Sequence, residues 1–278
     1  MVDAHRRAVL AERAARAGGA VAREAFRSDL RVDSKRDKND LVTETDRDAQ
    51  RQVIATLVPE FPSDVIVGEE DAVPPVGTGD GVDVTLAESV PDSGDAWVID
   101  PIDGTANFVR GLRIWTCSVA AVVDGEPVGA ATYLPAVEDI YTAGPESVTR
   151  NGTVLSVSDR TDPETFAVSV LGRWDAATSD QLGALAATTA EQFGDLRRFG
   201  SMQSALAFVA SGGLDAAFSP YQPNSWDALA GVLLIREAGG TVTDLAGERW
   251  TLESDSLVAS NGEAHETVLR VVDDAADR

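Results

Sequence analysis

Residues 97–111 constrain the fold more than any other part of this chain, because an apolar run there ends in closely spaced carboxylates. The first three residues, Trp-Val-Ile, predict a buried strand. Asp100 and Asp103 follow, with Pro101 between them. Since proline cannot donate to a sheet ladder, we expect the strand to end at Asp100. Gly104 predicts a turn into a short helix, so both carboxylates should lie on one bend beside a helix N-terminus.

Two carboxylates beside a helix N-terminus combine the features of a cation site and a phosphate site. Carboxylate oxygens suit hard divalent cations such as Mg²⁺, and the N–H groups at a helix start suit a phosphate. The structural alternative is that Asp100 or Asp103 caps a helix in an acidic chain. The spacing of the two residues does not by itself decide between these interpretations.

The full string around the carboxylates is more specific. Residues 100–108 read DPIDGTANF, which resembles the signature D-P-[IL]-D-G-T-x-N-F of the inositol monophosphatase family. Two further motifs of that family occur in the expected order, GEE at residues 68–70 and WDxxxG at residues 226–231. Three ordered motifs are far more specific than any single one. The resemblance covers nearly the whole chain.

The predicted elements divide the chain into two halves. Residues 1–145 predict an α+β half, with amphipathic helices followed by antiparallel strands. Residues 146–278 alternate short strands with helices, which predicts an α/β half with a mixed or parallel sheet. Residues 72–95 are rich in Gly, Pro and Asp and predict a surface excursion. The resemblance implies a layered αβαβα sandwich, with most metal ligands in the first half and the active site between the halves.

The resemblance implies two to three Mg²⁺ ions. The first ion would be held by Glu69, Asp100 and the backbone carbonyl of Ile102. The second would be held by Asp100, Asp103 and Asp227, and a third, weaker ion would use Glu69 and water. Physically, carboxylates crowded in this way cannot all ionise without cations between them.

The resemblance also implies roles in an in-line hydrolysis of a phosphate ester without a covalent phosphoenzyme. Thr105 and Glu69 would position the attacking water, and Asp46 would hydrogen-bond to Thr105. Backbone N–H groups of Gly104 and Thr105 would hold phosphate oxygens. The residues that the resemblance places against the substrate also include Gly200, Ser201 and Asp227.

Each of these residues has a structural explanation when it is taken alone. Glu69 fits a solvated acid in an acidic loop, and Gly104 fits a turn glycine. Asp46 and Asp227 fit acids at helix N-termini, where they cap the helix or interact with its dipole. Their joint occurrence at the family's spacing favours the functional interpretation.

The substrate is less constrained than the chemistry. Inositol-preferring members of the family carry a glutamate before the WDxxxG motif, and here that position falls at Ser219 or Pro220. We therefore expect hydrolysis of inositol monophosphate, fructose 1,6-bisphosphate or both. Two alternatives remain open: a 3′-phosphoadenosine 5′-phosphate nucleotidase, which shares all three motifs, and a family member that acts as a regulatory partner of RNA-associated machinery.

The net charge of the chain indicates which classes of partner it can bind and in which salt conditions it is stable. The 278 residues carry a net charge of −23 and the pI is about 4.3. Such a charge repels nucleic acid and anionic membranes, so we expect neither as a partner. Acidic residues spread along the whole chain predict a salt-adapted, halophilic protein, because high salt screens self-repulsion.

The remaining expectations concern location, assembly and the rarer side chains. The chain has no 18-residue apolar span and no signal-peptide-like apolar region at residues 1–19, so we expect a soluble, cytoplasmic protein. The resemblance implies a homodimer and inhibition by Li⁺. Cys117 lies in an apolar run and predicts a buried structural thiol. His5 and His265 lie in predicted helices, and we expect both at the surface.

Overall fold

A seven-stranded sheet, a five-stranded sheet, a two-stranded ribbon and seven α-helices make up the part of the chain that a computed structural model describes. The described residues are 2–28, 32–34, 41–70, 84–145, 147–172, 174 and 177–276. Residues 72–83 of the excursion predicted for residues 72–95 therefore lie outside the described residues. None of the helices in these ranges combines the length and apolar character that a membrane span requires.

The elements are numbered in chain order. The helices α1 to α7 are Val2–Ala25, Glu44–Leu57, Thr105–Val109, Ser179–Gln192, Met202–Ala210, Ser225–Glu237 and His265–Ala276. The ribbon strands β1 and β2 are Val32–Ser34 and Leu41–Thr43. The strands β3 to β9 of the larger sheet are Val65–Gly68, Asp95–Asp103, Thr116–Val123, Glu126–Leu134, Asp139–Gly144, Ser147–Arg150 and Thr153–Val154. The strands β10 to β14 of the smaller sheet are Ala167–Val170, Asp195–Arg197, Ala216–Ser219, Thr241–Thr243 and Leu257–Ser260.

The two main sheets differ in connectivity. In the larger sheet β3 to β9 lie in chain order, β3 is parallel to β4, and every later neighbour is antiparallel. The smaller sheet has the order β11-β10-β12-β14-β13. Its first three strands are parallel and the other two pairings are antiparallel. The sequence predicted a mixed or parallel sheet for the second half, and the sheet is mixed.

Alternating side chains on the strands create the layers. Trp97 and Ile99 of β4 pack with α1 and α2 on one face of the larger sheet. Val98 points to the opposite face, where α5 and α6 fill the space between the two sheets. The far face of the smaller sheet packs against α4 and α7. Successive side chains of a strand point to opposite faces of the sheet. Since both sets are apolar here, helices cover each sheet on both sides. The predicted αβαβα sandwich is confirmed.

One expectation about the central strand is wrong. β4 does not end at Asp100 but continues through Pro101 to Asp103, with a register shift against β5 between Asp100 and Asp103. A bulge accommodates proline because one residue of the bulged strand is left out of the ladder. Because of this shift, Asp100 and Asp103 do not follow the regular alternation of side chains between the two faces of the sheet.

Two further expectations have different outcomes. Cys117 is fully buried, and burial raises the pKa of its thiol to about 12, so the predicted structural thiol is confirmed. His5 is exposed, as predicted. His265 is half-buried and not fully exposed: its Nε2 lies 2.9 Å from Thr243 Oγ1 and its Nδ1 lies 2.8 Å from Ser260 Oγ. The start of α7 packs over the ends of β13 and β14, which places the ring between two hydroxyls.

The division of the chain at residue 145 remains a prediction. The larger sheet extends past that point, because β8 and β9 continue it to Val154.

Candidate active site

The pairing of β3 with β4 places Glu69 beside Asp100. In this parallel pair Gly68 lies opposite Ile99, so Glu69, the first residue after β3, lies next to Asp100 of β4. The Glu69 N–H donates to the Ile99 carbonyl oxygen at 3.1 Å. Two acidic residues that lie far apart in the chain therefore become neighbours through backbone register.

Gly104 forms the turn that follows the bulge. Its φ is 90° and its ψ is 39°, a left-handed conformation that glycine adopts without strain, and it precedes α3. A Cβ at this position would also lie 3.1 Å from the Gly200 carbonyl oxygen and from Ser201 Cβ. Glycine is therefore required both by the turn and by the close approach of the two segments.

Three carboxylates converge at this point. One oxygen from each of Asp100, Asp103 and Asp227 lies within 4.8 Å of the others. Asp103 ends β4, and Asp227 is in the first turn of α6. The structure thus brings together the three aspartates that the sequence predicted as ligands of one ion, from two elements in different halves of the chain.

Asp100 is the most constrained of the three aspartates. It is fully buried, and none of the described residues donates a hydrogen bond to either carboxylate oxygen. Burial, reinforced by the charges of Glu69, Asp103 and Asp227, raises the pKa of Asp100 well above its usual range. A buried carboxylate in this position is stable only with a proton or a cation. A donor set made entirely of oxygen atoms fits a hard divalent cation.

Thr105 and Asp46 lie behind the carboxylates. Thr105 Oγ1 is 3.3 Å from Asp46 Oδ1 and 3.1 Å from the Ile102 carbonyl oxygen. Asp46 and Ile102 are each 1% exposed, and Thr105 is 8% exposed. The threonine hydroxyl is thus held at the start of α3 by groups that solvent scarcely reaches.

Asp103 also receives the N-terminus of α5. Ser201 Oγ donates to Asp103 Oδ2 at 2.5 Å, the Gln203 N–H donates to the same oxygen at 2.7 Å, and the Met202 N–H donates to Oδ1 at 3.2 Å. Ser201 is itself the N-cap of α5 and accepts a bond from the Ser204 N–H. The predicted substrate residues Gly200 and Ser201 therefore lie against the acidic cluster.

Asn107 connects the signature string to this region and had no role in the sequence analysis. Its Nδ2 donates to the carbonyl oxygens of Ile114 and Phe199 at 2.6 and 2.7 Å. Phe199 immediately precedes Gly200, so the asparagine joins α3 to the segment that enters α5. Its place inside the signature was the available signal.

Gln50 is a second residue that the sequence analysis missed. It is 1% exposed, its Nε2 donates to the Glu70 carbonyl oxygen at 2.7 Å, and its Oε1 accepts from the Glu70 N–H at 3.0 Å. A Cβ on Gly68 would lie 2.4 Å from Gln50 Oε1, which explains the glycine of the GEE motif. Gln50 follows Asp46 by one helical turn, so both residues share the face of α2 that points to the cluster.

Ser219, the last residue of β12, and Pro220 are the two positions at which the resemblance places the glutamate of inositol-preferring family members. Ser219 is 2% exposed, and its Oγ donates to the Tyr221 carbonyl oxygen at 2.8 Å and accepts from the Tyr221 N–H at 3.3 Å. The hydroxyl therefore closes its own turn. Pro220 is half-buried and cannot donate or accept through its side chain.

Comparison with known proteins agrees with this geometry. The family model described as the inositol monophosphatase family matches residues 3–276. The chain is 33% identical over 274 residues to the Nus factor SuhB of Pseudomonas aeruginosa, covering 95% of this chain and 94% of that protein. It is 31% identical over 248 residues to the fructose-1,6-bisphosphatase/inositol-1-monophosphatase of Thermotoga maritima, covering 88% of each. Among solved structures, a Thermotoga maritima IMPase matches with a TM-score of 0.82 and 30% identity over 95% of this chain and 96% of that one.

Proposed function

The chain belongs to the inositol monophosphatase family and is a phosphoric monoester hydrolase, and we propose that it hydrolyses small sugar or inositol phosphates with Mg²⁺. The observation that carries the proposal is Asp100, whose two buried oxygens lack a donor in the described part of the chain and face Asp103 and Asp227. Such a carboxylate suits a site that binds cations and is costly anywhere else.

The proposed roles follow the geometry of the cluster. Asp100, Asp103 and Asp227 would hold the cations, with Glu69 and the carbonyl oxygen of Ile102 as further ligands. Mg²⁺ bound there would neutralise charge on the phosphate ester and lower the pKa of the attacking water.

The groups around α3 would orient the water and the phosphate. Thr105 and Glu69 orient the attacking water. Asp46 fixes the threonine hydroxyl from a distance of 3.3 Å. The backbone N–H groups of Gly104 and Thr105 hold phosphate oxygens. The alcohol half of the substrate lies toward Gly200 and Ser201.

For the substrate we propose a broad specificity that includes fructose 1,6-bisphosphate. The support is the absence of a carboxylate at Ser219 and Pro220. A glutamate there would accept hydrogen bonds from ring hydroxyls and would repel a second phosphate. One relative is named for both activities, fructose-1,6-bisphosphatase and inositol-1-monophosphatase. A site that lacks a hydrogen-bonding partner for a hydroxyl discriminates weakly.

A substrate panel tests the proposal. Phosphate release is measured with Mg²⁺ in molar KCl for inositol 1-phosphate, fructose 1,6-bisphosphate and 3′-phosphoadenosine 5′-phosphate. We expect comparable kcat/KM on the first two, loss of activity in EDTA, and inhibition by Li⁺. A preference for inositol 1-phosphate of a hundredfold, about 2.7 kcal/mol in transition-state binding, would refute the pocket argument.

A variant links this preference to the loop. Pro220→Glu is more informative than Ser219→Glu, because Ser219 is buried and its hydroxyl closes a turn. Pro220→Glu should shift the kcat/KM ratio toward inositol 1-phosphate, and Pro220→Gln controls for the loss of proline. Equal ratios in the two variants would mean that the carboxylate is not the discriminating group.

A regulatory role is a second candidate, because a relative at 33% identity is named Nus factor SuhB. An affinity pull-down from the native host, run beside the phosphatase assay on the same preparation, separates the two functions. An Asp100→Asn protein that retains its captured partners would show binding independent of catalysis. The homodimer, the cytoplasmic location and the absence of nucleic-acid binding remain predictions.

A further inference from the structure

Gln203 is a fully buried polar residue, the second residue of α5, and lies next to the acidic cluster. Its backbone N–H donates to Asp103 Oδ2 at 2.7 Å. Its side-chain amide points the other way, toward α6, which carries Asp227. One residue therefore contacts both elements that supply the paired aspartates of the cluster.

The amide of Gln203 brackets the turn of α6 that contains Asp227. Its Nε2 donates to the Trp226 carbonyl oxygen at 2.7 Å, and its Oε1 accepts from the Gly231 N–H at 2.9 Å. Trp226 and Gly231 are the first and last residues of the WDxxxG motif. Both polar groups of the amide are thus used on the backbone around one aspartate.

The close packing of α5 against α6 makes this contact possible. A Cβ on Gly231 would lie 2.4 Å from Leu206 Cβ, so glycine allows the two helices to approach closely. Leu206 lies three residues after Gln203, on the same face of α5. The close approach brings the α6 backbone within reach of the glutamine amide.

The N-cap of α6 does not supply a contact of this kind. Its N-cap residue, Asn224, makes no side-chain cap hydrogen bond to the helix backbone. The Asn224 side chain instead donates to Asp227 Oδ2 at 2.7 Å. The Gln203 amide, in contrast, is buried and bonds directly to the α6 backbone on both sides of Asp227.

Asp103 and Asp227 repel each other when both are ionised, and the repulsion is strong at the short distances of this cluster. A site that already holds the two carboxylates close would bind a cation more tightly, because the fold and not the cation then bears the cost of bringing the charges together. We propose that Gln203 is a positioning residue that sets the separation of Asp103 and Asp227, and thereby the affinity of the second divalent-cation site. This inference rests on the proposed metal-dependent function.

The test measures metal binding, so it does not depend on activity. Metal-free protein is titrated with Mn²⁺ in molar KCl, which suppresses weak surface binding, and free Mn²⁺ is followed by electron paramagnetic resonance. Gln203→Met keeps an unbranched side chain of similar length but removes both amide bonds. Gln203→Asn keeps the amide but is one methylene too short to span both partners, and it decides the question if the methionine variant does not fold. Val209→Ala, a buried change on the same helix, is the control for lost packing.

We expect wild type to bind two Mn²⁺ ions. In the Gln203 variants the weaker site should lose about tenfold or more in affinity, the range found when groups that orient metal ligands are removed. The stronger site, centred on Glu69 and Asp100, should change less than about threefold, and Val209→Ala should leave both sites unchanged.

Two results would overturn the inference: unchanged affinities at both sites in the Gln203 variants, or an equal loss in Val209→Ala. If wild type itself binds no Mn²⁺, the proposed function fails instead, and the inference fails with it.

Discussion

Replacing Asp100 by asparagine should stabilise the metal-free protein and at the same time abolish its response to Mg²⁺. Asp100 is fully buried and neither carboxylate oxygen accepts a hydrogen bond from the described residues. Without a cation, the folded protein must either keep an unpaired charge or take up a proton, and both lower its stability. Asparagine removes the charge, and its amide can donate to the neighbouring carboxylates of Asp103 and Asp227.

The size of the effect follows from the burial. An unsatisfied buried group costs roughly 1–3 kcal/mol, and more when it is charged. For a chain of this length about 1 kcal/mol moves Tm by about 2–4 °C, so Asp100→Asn should raise the metal-free Tm by about 2–12 °C. Mg²⁺ at about a hundred times its Kd should add about 2.7 kcal/mol to the stability of wild type. Mg²⁺ should add almost nothing to the stability of the variant, so in Mg²⁺ the variant should be no more stable than wild type, or less stable.

The assay is thermal unfolding in EDTA and then in Mg²⁺, followed by circular dichroism, with phosphate release measured on the same samples. Asp159→Asn, at an exposed position, controls for the loss of one negative charge. A lower Tm for Asp100→Asn in EDTA would show that Asp100 is not an uncompensated buried group. Near-normal turnover in the folded variant would refute the metal-binding role itself.

Three further predictions address other parts of the molecule. Gln50→Met should lower kcat by about tenfold or more with a smaller change in KM, because the Glu70 backbone loses both amide bonds; Gln52→Met is the control, and equal kinetics in the two variants would contradict the role. Burial lowers the pKa of His265 below its usual value of 6.5, so its contribution to stability is present above that pH and is lost as the pH falls below it. Urea unfolding of His265→Gln should therefore show a flatter pH dependence than wild type below about pH 6.5, and parallel curves would refute this. Because the net charge is −23, Tm should rise with KCl from dilute buffer to molar salt, and a Tm independent of KCl would count against salt adaptation.

The strand and the helix around the central motif show where local rules succeed and where they fail. The apolar run before Asp100 predicted a buried strand, and β4 is that strand. The rule that proline ends a strand was wrong at Pro101, because the pairing with β5 forms a bulge that needs no donor there. A local rule describes the cost of proline in a regular ladder, whereas the neighbouring strand decides whether the ladder is regular.

Buried polar residues outside the motifs were the hardest to predict. Gln203 lies in an apolar helix and Gln50 in an amphipathic one. A single glutamine is common in both kinds of helix, so neither residue stands out in the sequence. Their importance comes from the backbone groups that each amide reaches, at Glu70 for one and at Trp226 and Gly231 for the other. Those partners are set by how helices pack, and one sequence carries no record of that packing.

The type of chemistry could be predicted from the residues and their order, because the kind of ligand atom and its charge belong to the residue and not to its surroundings. The strings DPIDGTANF, GEE and WDxxxG were sufficient to indicate the family and the acidic residues. The fold brings Glu69 beside Asp100, through the register of β3 and β4. It also decided that Asp227 meets Asp103, through the close packing of α5 and α6. Distances of a few ångströms between residues far apart in the chain depend on register and packing, which many distant side chains set together.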